Sequence, residues 1–478
     1  MSKRLQILGL AALAALFLAP AGRAQDNGGQ SQQPVAPEQP VNPPEANAPA
    51  NTGGNTAPIP AVIEPDFSET SLTGAQLPTF GLPPRQSYFV PRFDFFSTVN
   101  TNGLYASSAS AGRQLANTET LLGGITLERV EERNQLSVNF LGGRAFSPNG
   151  DIYNTYATLF GLTDKWISAR WTGTFSDQLS YMSDPLFNSG GFDSSGLGFT
   201  GVSFQPTFLP NQGIVVGRTP VLNNSSVAEL DYQASPRASF TFVGSYFLLH
   251  YYGAGLTNTD SANAQAGYNY RLSAVNTIGV LYRFGAIRFG GNQQSVNDNV
   301  VQMSFAHQIA QRLRFQVGAG PDVALIQLPG SISLTHISWS MNANLAYHRD
   351  RTGLGLTYAH LVTGGSGILL GSEADLISGN VSRDLSRNWG ANATAGYTRS
   401  SALVTPTSSI NPGAIDSLTA GGGVTRTMGE NMHIFLNYTL SYQISQGPIC
   451  SNPSCGTNLV NHAVSAGFSW HPGAYRLE

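Results

Sequence analysis

Residues 339–359 read WSMNANLAYHRDRTGLGLTYA, in which apolar side chains alternate with small or polar ones. One face of its first half carries Trp339, Met341, Ala343, Leu345 and Tyr347, and the other carries Ser340, Asn342, Asn344 and Ala346. After a charged turn at 348–351 the alternation resumes with Leu354, Leu356 and Tyr358. A period of two residues is typical of a β-strand, and the short turn predicts an antiparallel hairpin.

The same pattern recurs from Tyr88 to Pro472, where segments of alternating side chains are separated by polar turns. The predicted strands are 88–100, 118–130, 134–146, 152–163, 165–182, 224–234, 237–251, 263–272, 275–288, 297–309, 312–325, 335–348, 351–364, 371–384, 387–400, 415–428, 431–445 and 459–472. The sequence therefore predicts an all-β chain with about eighteen strands in an antiparallel up-and-down β-barrel. Sixteen strands remain an alternative if the first segments are misread.

The composition indicates which face of each strand meets water. Only 11% of the residues are charged, and Lys3 and Lys165 are the only lysines. In a soluble sandwich the outer face is charged and the inner face is bulky. Here the second face consists of Gly, Ser, Asn, Thr and Gln, which are too small and polar for a packed core. This favours a transmembrane barrel with lipid outside and water inside.

Aromatic residues near the strand ends agree with this interpretation, because amphipathic rings favour the membrane interface. They are Tyr268, Tyr270, Tyr282, Tyr347, Trp389, Tyr397, Tyr442 and Trp470. Ordinary strand aromatics would explain each of them singly.

The chain is expected to divide into five parts. Residues 1–24 have the basic start, apolar run and small-residue exit of a secretory signal peptide. Residues 25–60 are rich in Pro, Gln and Asn and are predicted to be a disordered periplasmic tail. Residues 61–87 form a pre-barrel segment that packs in the lumen or on the periplasmic side. Residues 88–472 form the barrel, and residues 473–478 form a C-terminal tail.

Over residues 88–472 the chain resembles bacterial porins and related outer-membrane barrels. Short turns alternate with long loops, and the last strand, Leu459 to Trp470, looks like the aromatic-ended C-terminal strand through which that family is inserted. It departs from the family because His471 to Glu478 follow it. The resemblance implies a location in the outer membrane, with lipid and the insertion machinery as partners and the N-terminal tail in the periplasm. A homo-oligomer is compatible with this family.

The longest connection, Ser183 to Asn223, is expected to fold inward, because its phenylalanines would be costly to leave in water. The resemblance to porins implies that this third loop narrows the channel. Its charged residues Asp184, Asp193 and Arg218 are then the candidate constriction residues. The alternative is a surface loop that packs on its neighbours.

Four charged residues are predicted to line the lumen. Arg170, Arg283 and Arg314 fall on the polar phase of their predicted strands, and Asp94 has the opposite sign on the first strand. So few lumen charges predict weak ion selectivity. The alternative is that the arginines only donate hydrogen bonds to loop carbonyls.

Cys450 and Cys455 lie close together in a predicted loop. In an exported chain such a pair favours a small disulfide, with two reduced thiols as the alternative.

Several function classes are disfavoured. The eight histidines are scattered without metal-ligand spacing, and GFSWH at 467–471 lacks the final glycine of a nucleophile elbow. We therefore expect no enzyme, no cofactor and no metal, and the net charge of −3 gives no support to nucleic-acid binding. The sequence favours a porin-like channel for passive diffusion of small hydrophilic solutes. The alternative is a loop-plugged structural or surface-recognition barrel.

Overall fold

In the computed structural model, eighteen long strands form one antiparallel sheet. The structure describes residues 72–73, 87–101, 115–146, 155–182, 219–253, 256–292, 294–330, 332–349, 351–404, 413–429, 431–445 and 458–477. The strands are β1 Tyr88–Asn100, β2 Ala116–Val130, β3 Asn134–Phe146, β4 Thr155–Ile167, β5 Trp171–Met182, β6 Val221–Ser235, β7 Ala238–Tyr251, β8 Thr259–Arg271, β9 Asn276–Phe289, β10 Ser295–Ala310, β11 Leu313–Leu328, β12 Ile332–Arg349, β13 Thr352–Thr363, β14 Ser372–Ser386, β15 Trp389–Ala402, β16 Ala414–Met428, β17 Met432–Ser445 and β18 Asn458–Trp470.

The sheet closes into a barrel because the first strand pairs with the last. Each strand pairs with its successor, and β1 pairs with β18 from Phe93 opposite Trp470 to Asn100 opposite Ala463. A two-residue strand, β19 Tyr475–Arg476, continues the closure beside Tyr88 and Phe89. The predicted antiparallel up-and-down barrel of eighteen strands is confirmed. Part of the predicted C-terminal tail is therefore paired with the first strand.

Connections alternate in length around the barrel. At one end the strands are joined by turns of two to four residues, and at the other end by connections of three to 38 residues. We call these the turn end and the loop end. Tyr88 and Trp470 both lie at the turn end, so β1 starts and β18 finishes there. Within the described ranges, no helix is long and apolar enough to cross a membrane.

Side chains sort onto two faces, as the alternation predicted. In a single-layered barrel the only shielded face is the inner one, so the buried side chains of each strand point inward. On β12 the outward Trp339 is exposed while the inward Ser340 and Asn344 are buried. On β17 the outward Leu436 is exposed while the inward Asn437 is buried. The large apolar residues therefore lie outside, and many small polar residues lie inside.

One predicted turn is misplaced. The sequence suggested a turn near Asp164, but β4 runs on to Ile167, and Asp164 and Lys165 pair with Phe175 and Thr174 of β5. The turn lies at residues 168–170 instead. Charged residues at the end of a strand reach the polar rim of the barrel, so they do not require a turn.

The closing seam predicts the effect of a single methyl group. A Cβ at Gly467 would overlap the carbonyl oxygen of Phe95 and the side chain of Phe96 across the seam, whereas a Cβ at Gly244 meets nothing within 4 Å. We expect Gly467→Ala to lower the free energy of unfolding by about 1–3 kcal/mol. Gly244→Ala should leave it unchanged or raise it slightly, because alanine costs less chain entropy. Denaturant titration of the folded barrel in detergent measures both, and equal effects would contradict the tight seam.

Candidate functional site: the barrel lumen

The lumen wall combines uncharged hydrogen-bonding side chains with buried apolar ones, such as the cluster of Phe96, Leu122, Leu141, Ala157 and Phe435. The buried inward residues with hydroxyl or amide groups include Thr98, Thr120, Ser176, Thr241, Ser245, Asn269, Gln302, Ser304, Gln316, Ser340, Asn344, Ser417, Asn437, Ser441, Gln443, Asn461, Ser465 and Ser469. Many form hydrogen bonds to other strands, such as Thr98 with Ser465 on the adjacent strand at 2.8 Å and Gln302 Nε2 with Ser340 Oγ two strands away at 2.8 Å. This lining offers donors and acceptors with little net charge.

Two ion pairs lie on the inner face. Arg92 Nε lies 2.8 Å from Asp94 Oδ2 on β1, and Arg283 Nη2 lies 2.9 Å from Asp298 Oδ2 between β9 and β10. All four side chains are shielded from solvent to a large degree, so breaking either pair would leave a buried charge. Asp322 on β11 is also buried, and its carboxylate lacks a direct hydrogen-bond partner among the described residues.

The connection between β13 and β14, residues 364–371, folds over the lumen at the loop end. The amide of Thr257, in the connection after β7, donates to the carbonyl oxygen of Gly367 at 2.9 Å, although five strands separate β7 from β13. The ring of Tyr251 occupies the position where a Cβ of Gly367 would lie. A connection that reaches this far around the wall must cross the mouth of the barrel. We call residues 364–371 the crossing loop.

Glycines give the crossing loop its shape. Gly365, Gly367 and Gly371 have φ values of 73°, 77° and 84°, a region that other residues adopt only at a cost. The resulting turns direct Ile368 and Leu369 into the barrel, where both are buried against Ile415.

Apolar side chains on the inner face close the loop end further. One buried cluster joins Ile287, Phe289, Val296, Ala324, Ile326 and Val362, with Leu370 of the crossing loop packed against it. A second joins Val221, Leu249 and Tyr251. The lumen is therefore polar over much of its length and narrowed by apolar packing at the loop end.

Two residues that precede the first strand also lie against the inner face. Gln316 Nε2 of β11 donates to the carbonyl oxygen of Leu72 at 3.2 Å, and Gln265 of β8 donates to the carbonyl oxygen of Thr73. Leu72 is 6% exposed and Thr73 is fully buried. Gly267 leaves room for Thr73, because a Cβ there would overlap the threonine side chain.

The structure separates the four predicted lumen residues. Asp94 and Arg283 are buried on the inner face in the two ion pairs, and Arg314 is half-buried on the inward phase of β11. Arg170 is not on a strand: it is exposed in the turn at 168–170, because β4 extends past the predicted turn. Asp184, Asp193, Arg218, Cys450 and Cys455 lie outside the described residues.

Sequence reasoning missed three features of the lumen. The glycines of the stretch 364–367 shape an ordered crossing loop, which the strand pattern does not predict. Two of the predicted lumen residues have ion-pair partners, Arg92 for Asp94 and Asp298 for Arg283. Both partners lie on the polar phase of predicted strands and could have been found there. The contacts of Leu72 and Thr73 had no signal in the sequence.

No protein-family model matches the sequence, and no curated protein is similar to it in sequence. Within the described ranges, no group of three or more His, Cys, Asp or Glu side chains is arranged to hold a metal ion.

Solved structures with a similar barrel exist at very low identity. The outer membrane protein OpdK of Pseudomonas aeruginosa is 8% identical, with 80% of this chain and 99% of that chain covered and a TM-score of 0.39. OccK2 of the same organism, solved with glucuronate, is 8% identical over 81% and 98% of the chains, with a TM-score of 0.40. The FrpB iron transporter of Neisseria meningitidis is 8% identical over 82% and 83%, with a TM-score of 0.41. The likeness is one of architecture, and the fold assignment rests on the strand pairing.

The crossing loop yields a prediction on local stability. In Gly367→Ala the methyl group meets the Tyr251 ring, and the backbone is also strained. The Thr257 amide donates to Gly367, and we expect it to exchange its hydrogen about tenfold faster. A tenfold change corresponds to a local destabilisation of ~1.4 kcal/mol. Gly330→Ala is the control, since Gly330 has a φ of 84° with open space around it. Unchanged exchange at Thr257 in the first variant, or an equal increase in the second, would argue against the crossing contact.

Proposed function

We propose that this chain is an outer-membrane barrel through which small hydrophilic solutes diffuse passively, without enzymatic activity. One observation carries the proposal: large apolar side chains cover the outside of the closed wall, and uncharged polar side chains line the inside. A soluble protein has the opposite distribution, since exposing so much apolar surface to water is unfavourable.

The outer face fits a bilayer in chemistry and in height. Met303, at the middle of β10, is 74% exposed, and Phe242, Tyr282 and Leu436 are also exposed. The shortest of the eighteen long strands have 12 residues, which at about 3.3 Å per residue and a tilt of about 45° rise roughly 28 Å, close to the thickness of a hydrocarbon core. Closure leaves the backbone groups paired along most of the wall, as lipid requires, except on the side of β12 that faces β13 above Met341.

The connection lengths suggest an orientation. Outer-membrane barrels have short turns on the periplasmic side and longer loops outside. With the turn end in the periplasm, the start of β1 and the end of β18 lie there, so the residues before Ser87 begin on that side. The last strand then presents its aromatic residues, including Phe468 and Trp470, to the insertion machinery.

The lumen chemistry suggests the solute. Hydroxyl and amide side chains can replace the hydrogen bonds that a hydrophilic solute makes to water, and barrels of 16–18 strands are wide enough for an aqueous channel. Because Arg92 pairs with Asp94 and Arg283 with Asp298, the field from these residues is largely neutralised. Small neutral solutes and ions of either sign are therefore the expected cargo.

Planar-bilayer recording tests this function. The refolded mature chain should add discrete steps of current with weak ion selectivity, since charged residues are few on the inner face and four of them form the pairs Arg92–Asp94 and Arg283–Asp298. A heat-modifiability gel on the same sample checks that the barrel is folded. A folded barrel that adds no current, or a strongly selective one, would contradict the proposal.

A second function, a barrel plugged from within, is favoured by Leu72 and Thr73. Both are buried against the inner wall, and two glutamines donate to their consecutive carbonyl groups. These two residues occupy part of the cross-section, so we expect conduction to be restricted until they leave the lumen.

Removing the two glutamines that bind Leu72 and Thr73 distinguishes an open channel from a plugged one. Without its hydrogen bonds the segment should spend more time outside the lumen, so we expect Gln265→Ala/Gln316→Ala to raise the single-channel conductance severalfold. Gln302→Ala is the matched control, because Gln302 is a buried lumen glutamine that bonds to Ser340 instead. An unchanged conductance in the double variant would mean that the segment does not restrict the channel.

A further inference from the structure

The wall of the barrel is interrupted between β12 and β13. These strands pair from Arg349 opposite Thr352 up to Met341 opposite His360, and no described residue pair continues the ladder beyond that point. Above it, Ile332–Ser340 pairs only with β11, while Leu361–Thr363 pairs only with β14. We call the gap above Met341 and His360 the notch.

The two sides of the notch diverge in opposite directions. Val362 belongs to the outward phase of β13, yet it is buried in the inner cluster with Ile326, so the end of β13 bends into the lumen. On the other side, residues 332–340 form an arm that is exposed on both faces at residues 332–335, with Leu334 inward by phase and Ile337 outward. The gap therefore arises because β13 follows the crossing loop inward while β12 continues straight.

Four apolar side chains of the arm are exposed, which suits a position beside lipid. They are Ile332, Leu334, Ile337 and Trp339, and Ile337 is 74% exposed. Exposed apolar side chains are unfavourable in water, but they are suited to the outer leaflet of a bilayer. This step rests on the proposed membrane placement of the barrel.

Side chains, not backbone groups, close the notch. Glu373 of β14 accepts hydrogen bonds from Ser338 and, at 2.9 Å, from His360 Nε2, and His336 Nε2 lies 3.8 Å from its other oxygen. Ser340 Oγ donates to the carbonyl oxygen of His360 at 3.3 Å. The Trp339 ring stacks on His360 with centroids 4.3 Å apart. Such a closure opens by side-chain rotation, without breaking a strand ladder.

Side chains from both faces of the wall meet at the notch. Trp339 faces out, whereas Ser340 is 1% exposed and faces the lumen beside Gln302. The carboxyl group of Asp375, which accepts a hydrogen bond from the Tyr358 hydroxyl at 3.0 Å and lies 2.7 Å from His360 Nδ1, is on the outer side. The apolar inner cluster with Ile326 lies on the strand next to the arm. Above, the crossing loop covers the mouth.

We propose that the notch is a lateral portal through which a solute with an apolar tail and an uncharged or cationic head group passes between the lumen and the outer leaflet. The tail contacts the arm and the inner cluster. The head group donates hydrogen bonds to the carboxyl groups of Glu373 and Asp375. Anionic head groups are disfavoured, because these carboxylates repel them.

Thiol labelling from the membrane tests the portal. The reagent is N-(1-pyrenyl)maleimide, which is uncharged and apolar, and it is dissolved in the bilayer of vesicles that hold the full barrel. The background carries Cys450→Ser and Cys455→Ser, so that only the introduced thiol reacts. We expect Ser340→Cys to be labelled about tenfold faster than Ser465→Cys, because local opening exposes only the former. Ser465 is the matched control: it is an inward serine at 0% exposure, paired on both sides with Asn437 and Thr98.

Further variants keep the test decisive. Met303→Cys, on the outer face, reports whether the barrel lies in the membrane at all. If this variant is not labelled, the membrane placement fails. If it is labelled while Ser340→Cys is not, only the portal fails. Adding Glu373→Ala to Ser340→Cys should speed labelling further by removing the side-chain closure, and an unchanged rate would overturn that role. Ser338→Cys replaces Ser340→Cys if the latter does not fold on the heat-modifiability gel. Equal labelling of the notch and Ser465 variants would overturn the portal.

Discussion

The structure depends on the closed ladder of backbone hydrogen bonds. A single sheet has no second layer to shield its polar backbone, so an open edge would expose a row of unpaired groups. Pairing β1 with β18 removes that edge, and the short strand at Tyr475–Arg476 extends the closure past Pro472. Once the wall is closed, every strand has an inside and an outside, and the alternation of side chains becomes a division between two environments.

This division explains the composition. Inside, side chains from eighteen strands converge, so small residues such as serine, asparagine and glycine fill the space that bulky ones would overfill. Gly423 is an example, because a Cβ there would overlap the side chain of Asn437. Outside there is no such limit, and the rings and aliphatic chains lie exposed. The low content of charged residues follows, since neither the outer face nor the tightly bonded inner face has many places for an unpaired charge.

The strands could be predicted from the sequence, and much of the lumen could not. The alternation of side chains with a period of two residues is a local signal. The eighteen strands and the two faces of residues 339–347 could therefore be predicted. The turn after β4 was misplaced because Asp164 and Lys165 resemble turn residues. Charged residues also occur where a strand ends at the polar rim of the barrel. Arg170 was placed on a strand for the same reason. The contact of Gly367 with Tyr251, and those of Leu72 and Thr73 with the inner wall, join residues far apart in sequence. Such contacts leave no periodic trace.

The notch is where the closing constraint is locally relaxed. Along the rest of the described wall between β2 and β18, each strand is paired with both neighbours over most of its length, but the end of β13 leaves β12 to follow the crossing loop. The same bend narrows the mouth, because it directs Ile368 and Leu369 into the lumen. Narrowing the mouth and opening the side are therefore two consequences of one distortion. The axial exit is restricted, whereas the side of the wall is closed only by rotatable side chains such as Ser338 and Glu373. This arrangement favours movement of a solute through the side. For this reason the crossing loop and the notch are best understood as parts of one site.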